Sequence, residues 1–495
     1  LQFLKESREI IMENIVLTSA TNQANKIRKK TLKSSDLLKM HFDQIDRFNP
    51  EINAVIWEDR ETALKCAKKL DEDADKGNWH GPLHGVPVTV KESFDIKGAP
   101  STWGHPHLKN HSAKLDSDAV FRLRKAGAIV FGKTNVPLDL AEWQTFNDVY
   151  GTTNNPWDLT RAPGGSSGGS AAALATGMTA LEVGSDIGSS IRNPAHYCGV
   201  FGLKPTYNVV STKGHGPEGW HIGADISVAG PLARSAIDLK LAFDIIKGPN
   251  SFSAPAWKLS VPNDTRKNLN EFNIGLNLSD AESPIDNGYM EVLLAFVERL
   301  KAAGANIIIN HKPNIDTKKH FTLYLNLLGA ALAGRTSEKT YLEQMAGIEA
   351  LENNKIMRVS GNRYKGLGIT HREQLNLDNE RHINRLAFDE YFSKVDILIT
   401  PVASSAAFNH NQVGPRYSRF LKINGENQPE NTQLFWSGYS GVVGLPSVVG
   451  PVGTVNHLPV GYQAIAGYGR DYTALAFATA VEKEIGGFNV PPLCS

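Results

Sequence analysis

The chain has 495 residues with 52 Lys+Arg against 51 Asp+Glu, and a net charge of +1 leaves no electrostatic footprint for nucleic acid or an anionic membrane. Charged residues make up 21% and hydrophobic ones 41%, the usage of an ordinary globular chain with a large core, which excludes a disordered scaffold. Three cysteines, Cys66, Cys198 and Cys494, cannot all pair with one another; this argues against a disulfide framework and for a reducing, cytoplasmic setting.

The first segment, Leu1 to Val16, carries Lys5, Glu6, Arg8, Glu9 and Glu13, so it reads as an amphipathic helix and lacks the apolar stretch of a signal peptide. Because the chain opens on Leu1, a cleaved export signal upstream stays open. No run of about 18 apolar residues occurs anywhere, so no transmembrane segment is expected. Ser35 to Phe48 places Leu37, Leu38, His41, Phe42, Ile45 and Phe48 at helical spacing, with Ser35 as N-cap and Asn49-Pro50 as the stop. A second helix is predicted over Glu61 to Lys76. Val86 to Val90 is a short apolar run ending at Lys91 and reads as a buried strand. Asp116 to Gly127 reads as a helix, and Ala128 to Phe131 as a strand.

Between Asn154 and Pro205 small residues dominate and charge nearly vanishes. Beyond it, helices such as Tyr289 to Ala303 alternate with strands at Asn306 to Asn310, Val395 to Thr400 and Pro459 to Ala466, and Asp471 to Lys483 closes the chain as a helix. That alternation predicts an α/β layer fold. The polar stretch from Pro249 to Asn273 is a candidate linker, although the segments on both sides are needed to complete one sheet.

Gly127 to Thr134 matches the phosphate-loop pattern G-x-x-x-x-G-K-T in letters only. Its variable positions are themselves the predicted strand, and Asn135-Val136-Pro137 prevents the helix whose N-terminus would receive a phosphate. His80 and His84 stand four apart, but Gly81 and Pro82 forbid a regular helix between them. His105, His107 and His111 fall in a loop without a carboxylate or cysteine beside them, so no metal site is expected.

The dominant signal is Gly164-Gly165-Ser166-Ser167-Gly168-Gly169-Ser170 followed by Gly184-Ser185-Asp186-Ile187-Gly188-Ser189-Ser190-Ile191-Arg192. A flexible Gly/Ser linker would not be gripped between the apolar segments Ala171 to Ala180 and Val200 to Leu203. Glycines held between buried elements imply close backbone approach to a ligand, and converging backbone N–H groups can stabilise an oxyanion during acyl transfer. Serine is then the candidate nucleophile and needs a base. His196 lies six residues beyond Ser190, but no G-x-S-x-G elbow accompanies it. Lys91 becomes a base if burial pushes it toward its neutral form; local sequence alone favours an exposed strand-end lysine paired with Glu92.

Taken together, G-V-P-V-T-V-K-E ending beyond Lys91, G-G-S-S-G-G-S from Gly164 and G-S-D-I-G-S-S-I-R-N-P-A-H-Y-C-G-V-F-G-L-K-P-T from Gly184 to Thr206 resemble the amidase signature family. Lys91 and Ser166 are 75 residues apart and Ser166 and Ser190 are 24 apart, which fits the family's spacing. Weaker similarity at Asn49 to Val55 and Leu458 to Gln463 extends the resemblance over nearly the whole chain. It implies a single domain, 1–495, with an N-terminal helical part, 1–80, on a core, 81–495, built on a large central mixed β-sheet covered by helices on both faces.

The resemblance further implies a serine amidase with no cofactor. Ser190 would attack the amide carbonyl, Ser166 in a cis peptide would relay the proton, and Lys91 would be the base. The N–H groups of Ile187, Gly188, Ser189 and Ser190 would form the oxyanion hole. Asp186, Arg192 and Ser167 would support these groups without touching substrate. Ser189 stands where the family often has Gly, which places a side chain where the backbone is demanding and a second hydroxyl beside the nucleophile. The family's tRNA-linked subunits carry an S-x-D-Q-x-G-P stretch, whereas this chain reads Ala224-Asp225-Ile226-Ser227-Val228-Ala229-Gly230-Pro231. That departure and the neutral charge favour a stand-alone hydrolase over an amidotransferase-type subunit or a non-catalytic binding member. Trp103, Trp143, Phe146, Trp220 and Trp436 are candidate pocket aromatics, from which a small amide with an apolar or aromatic acyl group is expected. A homodimer stays open.

Overall fold

The computed structural model describes residues 15–309, 311–352, 358–414 and 416–494; the helix expected over Leu1 to Val16 falls almost wholly outside them. Eleven strands form one sheet. In chain order they are β1 (Val55–Glu58), β2 (Pro87–Lys91), β3 (Ile129–Thr134), β4 (Glu182–Asp186), β5 (Phe201–Lys204), β6 (Val228–Ala233), β7 (Asn273–Leu276), β8 (Asn306–Ile308), β9 (Ile397–Thr400), β10 (Ser447–Val455) and β11 (Leu458–Ile465). Their order across the sheet is β1-β3-β2-β4-β6-β5-β10-β11-β9-β7-β8. β2 pairs in parallel with both β3 and β4, whereas β4 pairs antiparallel with β6 and β10 antiparallel with β11, so the sheet is mixed. Strands on both sides of the Pro249 to Asn273 stretch belong to it.

The sheet is buried on both faces because its strands are apolar in both registers. Val88 and Val90 of β2 and Val130 of β3 pack into one core, with Leu239 and Phe243 of the helix Ala236–Ile246 and Leu475 and Phe477 of the helix Asp471–Glu484. Ile129 and Phe131, one residue out of phase on β3, pack into a second core with Leu38, Phe42 and Ile45 of the helix Ser34–Ile52 and the helix Gly168–Ala175. Helices therefore cover both faces.

Two local readings need correction. The helix predicted to stop at Asn49-Pro50 runs from Ser34 through Pro50 to Ile52. The stop comes at Asn53, whose φ of 55° turns the chain out of the helix. Asn49 secures that turn, donating to Val55 O at 2.7 Å and accepting from the N–H groups of Ala54 and Val55 at 2.8 and 2.9 Å. At its start Ser35 is not the cap. The Asp71 carboxylate, reaching over from the helix Arg60–Asp75, accepts from the N–H of Ser34 at 2.6 Å and of Ser35 at 3.2 Å. A cap supplied from another element is invisible to local pattern reading. The phosphate-loop look-alike is indeed strand, and Lys133 within it is buried with its ammonium donating to Pro100 O. Among the described residues no helix is long and apolar enough to cross a membrane.

Candidate active site

The parallel neighbours β2 and β4 deliver the chemistry. Thr89 and Val90 lie opposite Glu182 and Val183, so Lys91 at the end of β2 comes level with the end of β4, where Ser185 and Asp186 lead into the loop 187–191. Ligands gather at the carboxyl ends of parallel strands because the chain leaves the sheet there and opens a crevice. Lys91 is fully buried; its Nζ is 2.6 Å from Ser166 Oγ and 3.0 Å from Ser185 Oγ. Burial pulls its pKa down to about 7, against the opposing fields of Asp186, Glu182 and Glu92.

The acids around it explain why those fields do not win. Burial pushes the Glu182 carboxyl up to about 8, despite hydrogen bonds from Thr89, Ser170 and Thr134, so it is largely uncharged at neutral pH. Glu92 is spent on backbone, accepting from the N–H of Trp103 at 3.0 Å and from Thr102. The expected Lys91 and Glu92 surface pair does not form.

Ser166 follows the cis peptide Gly165-Ser166. Gly165 is needed there because a Cβ would stand 2.3 Å from Glu142 O, a backbone atom that cannot yield. Its N–H donates to Asn193 Oδ1 at 3.1 Å. Ser167, next in line, donates its N–H to Ser190 O at 3.1 Å, tying the two Gly/Ser blocks together.

Asp186 organises the loop before Ser190. Its carboxylate accepts from the N–H of Ser189 at 3.0 Å and of Ile191 at 3.1 Å, and takes two contacts from the Arg192 guanidinium at 2.9 and 2.8 Å. Both side chains are fully buried. Burial alone would raise the Asp186 carboxyl, but the Arg192 charge and hydrogen bonds override it and hold it below the usual range. Arg192 Nη1 spends its remaining donors on Ser437 O, Ser440 Oγ and Gln463 Oε1 at 3.0, 3.0 and 2.7 Å. Outside the loop, Tyr324 OH donates to Ile187 O at 2.9 Å and Trp143 Nε1 to Gly188 O at 2.7 Å.

The four amides expected to hold an oxyanion are not equally free. The Ser189 N–H is already engaged by Asp186, whereas among the described residues the N–H groups of Ile187, Gly188 and Ser190 have no protein acceptor. Ser189 itself has a φ of 75° and a buried hydroxyl with no partner.

Ser166, Ser185, Ile187, Gly188 and Ser190 all border one cavity, about 830 Å³ with its open mouth included. Of the five predicted pocket aromatics, Trp103, Trp143 and Trp220 line it. Phe146 and Trp436 do not. Phe146 is in a two-residue ribbon opposite Thr152, and Trp436 is fully buried in the core, stacked edge-on against Phe435 with its Nε1 donating to Ser283 O at 3.2 Å. His196 is not free to act as a base. Its Nδ1 accepts from Gly461 N–H at 2.8 Å, its Nε2 faces Ser405 O at 3.1 Å, and burial lowers its pKa to about 4. His80 and His84 share a hydrogen bond through the His80 N–H and are otherwise taken by Asp73 and Leu70 O. Local reading missed His215, Leu328, Leu332, Arg335, Arg363 and Arg416, all on the cavity wall. All but His215 lie far from the Gly/Ser blocks in sequence, and no spacing pattern marks any of them.

Mixed sheet, buried lysine and paired serine loops come together beside one cavity, and comparison with known proteins identifies the family. The family model described as Amidase matches residues 36–475, and the chain belongs to that family. It is 30% identical over 491 residues, 94% of this chain and 96% of the relative, to a glutamyl-tRNA(Gln) amidotransferase subunit of Carboxydothermus hydrogenoformans. It is 29% identical, over 94% of this chain and 86% of the relative, to an indoleacetamide hydrolase of Bradyrhizobium diazoefficiens. A crystal structure of an amidase superposes with a TM-score of 0.76 at 26% identity, covering 95% of this chain and all of that one. The chain is thus an enzyme of the amidase family with the amidase signature fold.

Proposed function

We propose that the protein hydrolyses a carboxylic acid amide through an acyl-enzyme on Ser190. The observation that carries this reading is the fully buried Lys91 amine 2.6 Å from Ser166 Oγ, its pKa drawn down to about 7, on a cavity that Ser190 shares. Neutral Lys91 accepts the Ser166 proton while Ser166 takes the proton of Ser190, whose Oγ attacks the carbonyl carbon. The C=O electrons move onto oxygen, and the oxyanion is held by the free N–H groups of Ile187, Gly188 and Ser190. Collapse breaks the C–N bond as Lys91, through Ser166, returns the proton to the leaving nitrogen. Water then attacks the Ser190 ester along the same relay, releasing the acid. Tyr324 serves this chemistry by fixing the Ile187 carbonyl, because the Gly188 N–H of the same peptide unit then points the opposite way, toward the oxyanion.

The amidotransferase names among the relatives make a second reading concrete, in which the chain acts only within an amidotransferase assembly. One experiment separates the two. The purified chain alone is treated with a fluorophosphonate probe and assayed for amine release from an amide panel. Labelling at Ser190, lost in Ser190→Ala, together with amine release is expected; labelling without amine release until other subunits are added would favour the second reading. No labelling of the folded chain would overturn both.

A further inference from the structure

The cavity wall is unbalanced in its hydrogen bonding. Among the described residues, five buried side-chain nitrogens on wall residues have no partner: Trp103 Nε1, Trp220 Nε1, His215 Nε2, Arg335 Nε and Arg416 Nη2. Four of them can only donate. No equally buried side-chain oxygen on a described wall residue lacks a partner among the described residues. Spare donors on a cavity wall are satisfied by a ligand that offers acceptors.

Charge is unbalanced in the same direction. Arg416 is neutralised by Glu430 at 3.1 Å, and Glu142 by Arg419 at 2.8 Å. Arg335 and Arg363 have no ion pair among the described residues. The single carboxylate whose field reaches both is Asp139, so two guanidinium charges face one carboxylate. Burial lowers the pKa of both arginines, as it does for a cation short of counter-charge. Arg335 lies over the Trp103 ring at 5.0 Å, which orients a planar guanidinium without neutralising it. Leu140, Ile222, Leu328, Leu332 and Leu434 line the rest of the wall.

We infer that the substrate is an amide bearing one carboxylate joined to the scissile bond through an apolar spacer, with the carboxylate received by Arg335 and Arg363. This rests on the hydrolase reading above and goes beyond the uncharged, apolar substrate expected from sequence. Guanidinium recognition of a carboxylate adds geometric selectivity that an apolar pocket lacks, since a neutral isostere leaves the arginines unpaired.

The test uses two matched pairs, because the carboxylate can sit on either side of the amide. Glutaryl-4-nitroanilide is compared with pentanoyl-4-nitroanilide, and 4-acetamidobenzoate with 4-acetamidotoluene. In at least one pair, kcat/KM is expected to favour the charged member by about 30-fold or more, the scale of a charge-assisted contact. Arg335→Gln with Arg363→Gln should erase that preference, with the loss falling on kcat/KM of the charged member, and each single variant should lose part of it. Binding of the same four amides to Ser190→Ala is measured by calorimetry, so that an inactive chain still reports. Failure of the hydrolase reading appears as no amine release and no probe labelling, with the binding preference intact. Equal turnover and equal binding of charged and neutral members in both pairs, no binding by either charged member, or a preference that survives the double substitution, would overturn the inference.

Discussion

Lys91 is one residue whose chemistry depends wholly on burial. In water its amine would carry a proton at neutral pH; here it is drawn to about 7, so the basic form is available where the enzyme works. Below pH 7 the fraction of neutral Lys91 falls about tenfold per unit, so kcat/KM should rise with unit slope up to pH 7 and flatten above it. Were His196 the base, with its pKa near 4, the profile would already be flat at pH 6. Lys91→Met should lose about 10³-fold or more in kcat and gain or keep thermal stability, because a desolvated ammonium is removed. A thermal melt and a pH–rate profile check both halves. Ser189 gives an independent expectation. Its φ of 75° suits glycine, and its hydroxyl is buried without a partner, so Ser189→Gly should stabilise by about 0.5–1 kcal/mol in urea unfolding. Activity should stay within about threefold, since the amide that Ser189 contributes is spent on Asp186 and not on substrate. Of these residues, Lys91, Ser166 and Ser190 were singled out from sequence through the family resemblance that three motif blocks carry, since local sequence reads Lys91 as an exposed lysine beside Glu92. The free or engaged state of each loop amide was not legible there, since it depends on partners as remote as Tyr324.

At the scale of elements, the site is a product of strand ends and one braced loop. The loop between β4 and the helix Arg192–Cys198 is held by a fully buried ion pair, and such a pair is destabilising chiefly when half of it is removed. Arg192→Met should therefore cost about 3–5 kcal/mol in denaturant unfolding and depress kcat more than KM, because Asp186 would be left charged among apolar neighbours and the loop amides would lose their register. An Asp186→Asn, Arg192→Met double variant should recover much of the stability and little of the activity. If it recovered both, the pair would be structural only. Element existence was readable from periodicity in part of the chain, as with Asp471–Glu484, predicted one residue short, whereas the helices Thr317–Ala333 and His371–Phe392 drew no reading. Element ends were not. The helix Ser34–Ile52 passes Pro50 and is capped by Asp71 from a neighbouring helix, and neither fact has a local signature.

For the whole molecule, the three cysteines give a direct test of the reducing-compartment reading. All are unpaired: Cys66 is exposed, Cys494 half-buried and Cys198 fully buried, with burial pushing its thiol far up. Withdrawing reductant should leave the thermal midpoint unchanged within about 1 °C, since no disulfide contributes. A thiol reagent should not reach Cys198 until the protein unfolds. Reaction of all three at equal rates in the native protein would contradict the core described here. The family, the sheet-and-helix alternation and the candidate serines and lysine of the proposed chemistry could all be read from the chain, because they lie in contiguous blocks whose residue types the backbone geometry and chemistry demand. The burial of Lys91 and its shortage of counter-charge, the occupied state of His196, and the placing of Arg335 and Arg363 on the cavity bordered by Ser166 and Ser190 emerge only from the folded chain. Desolvation and charge balance are properties of what surrounds a group in space, and those surroundings are assembled from segments more than a hundred residues apart.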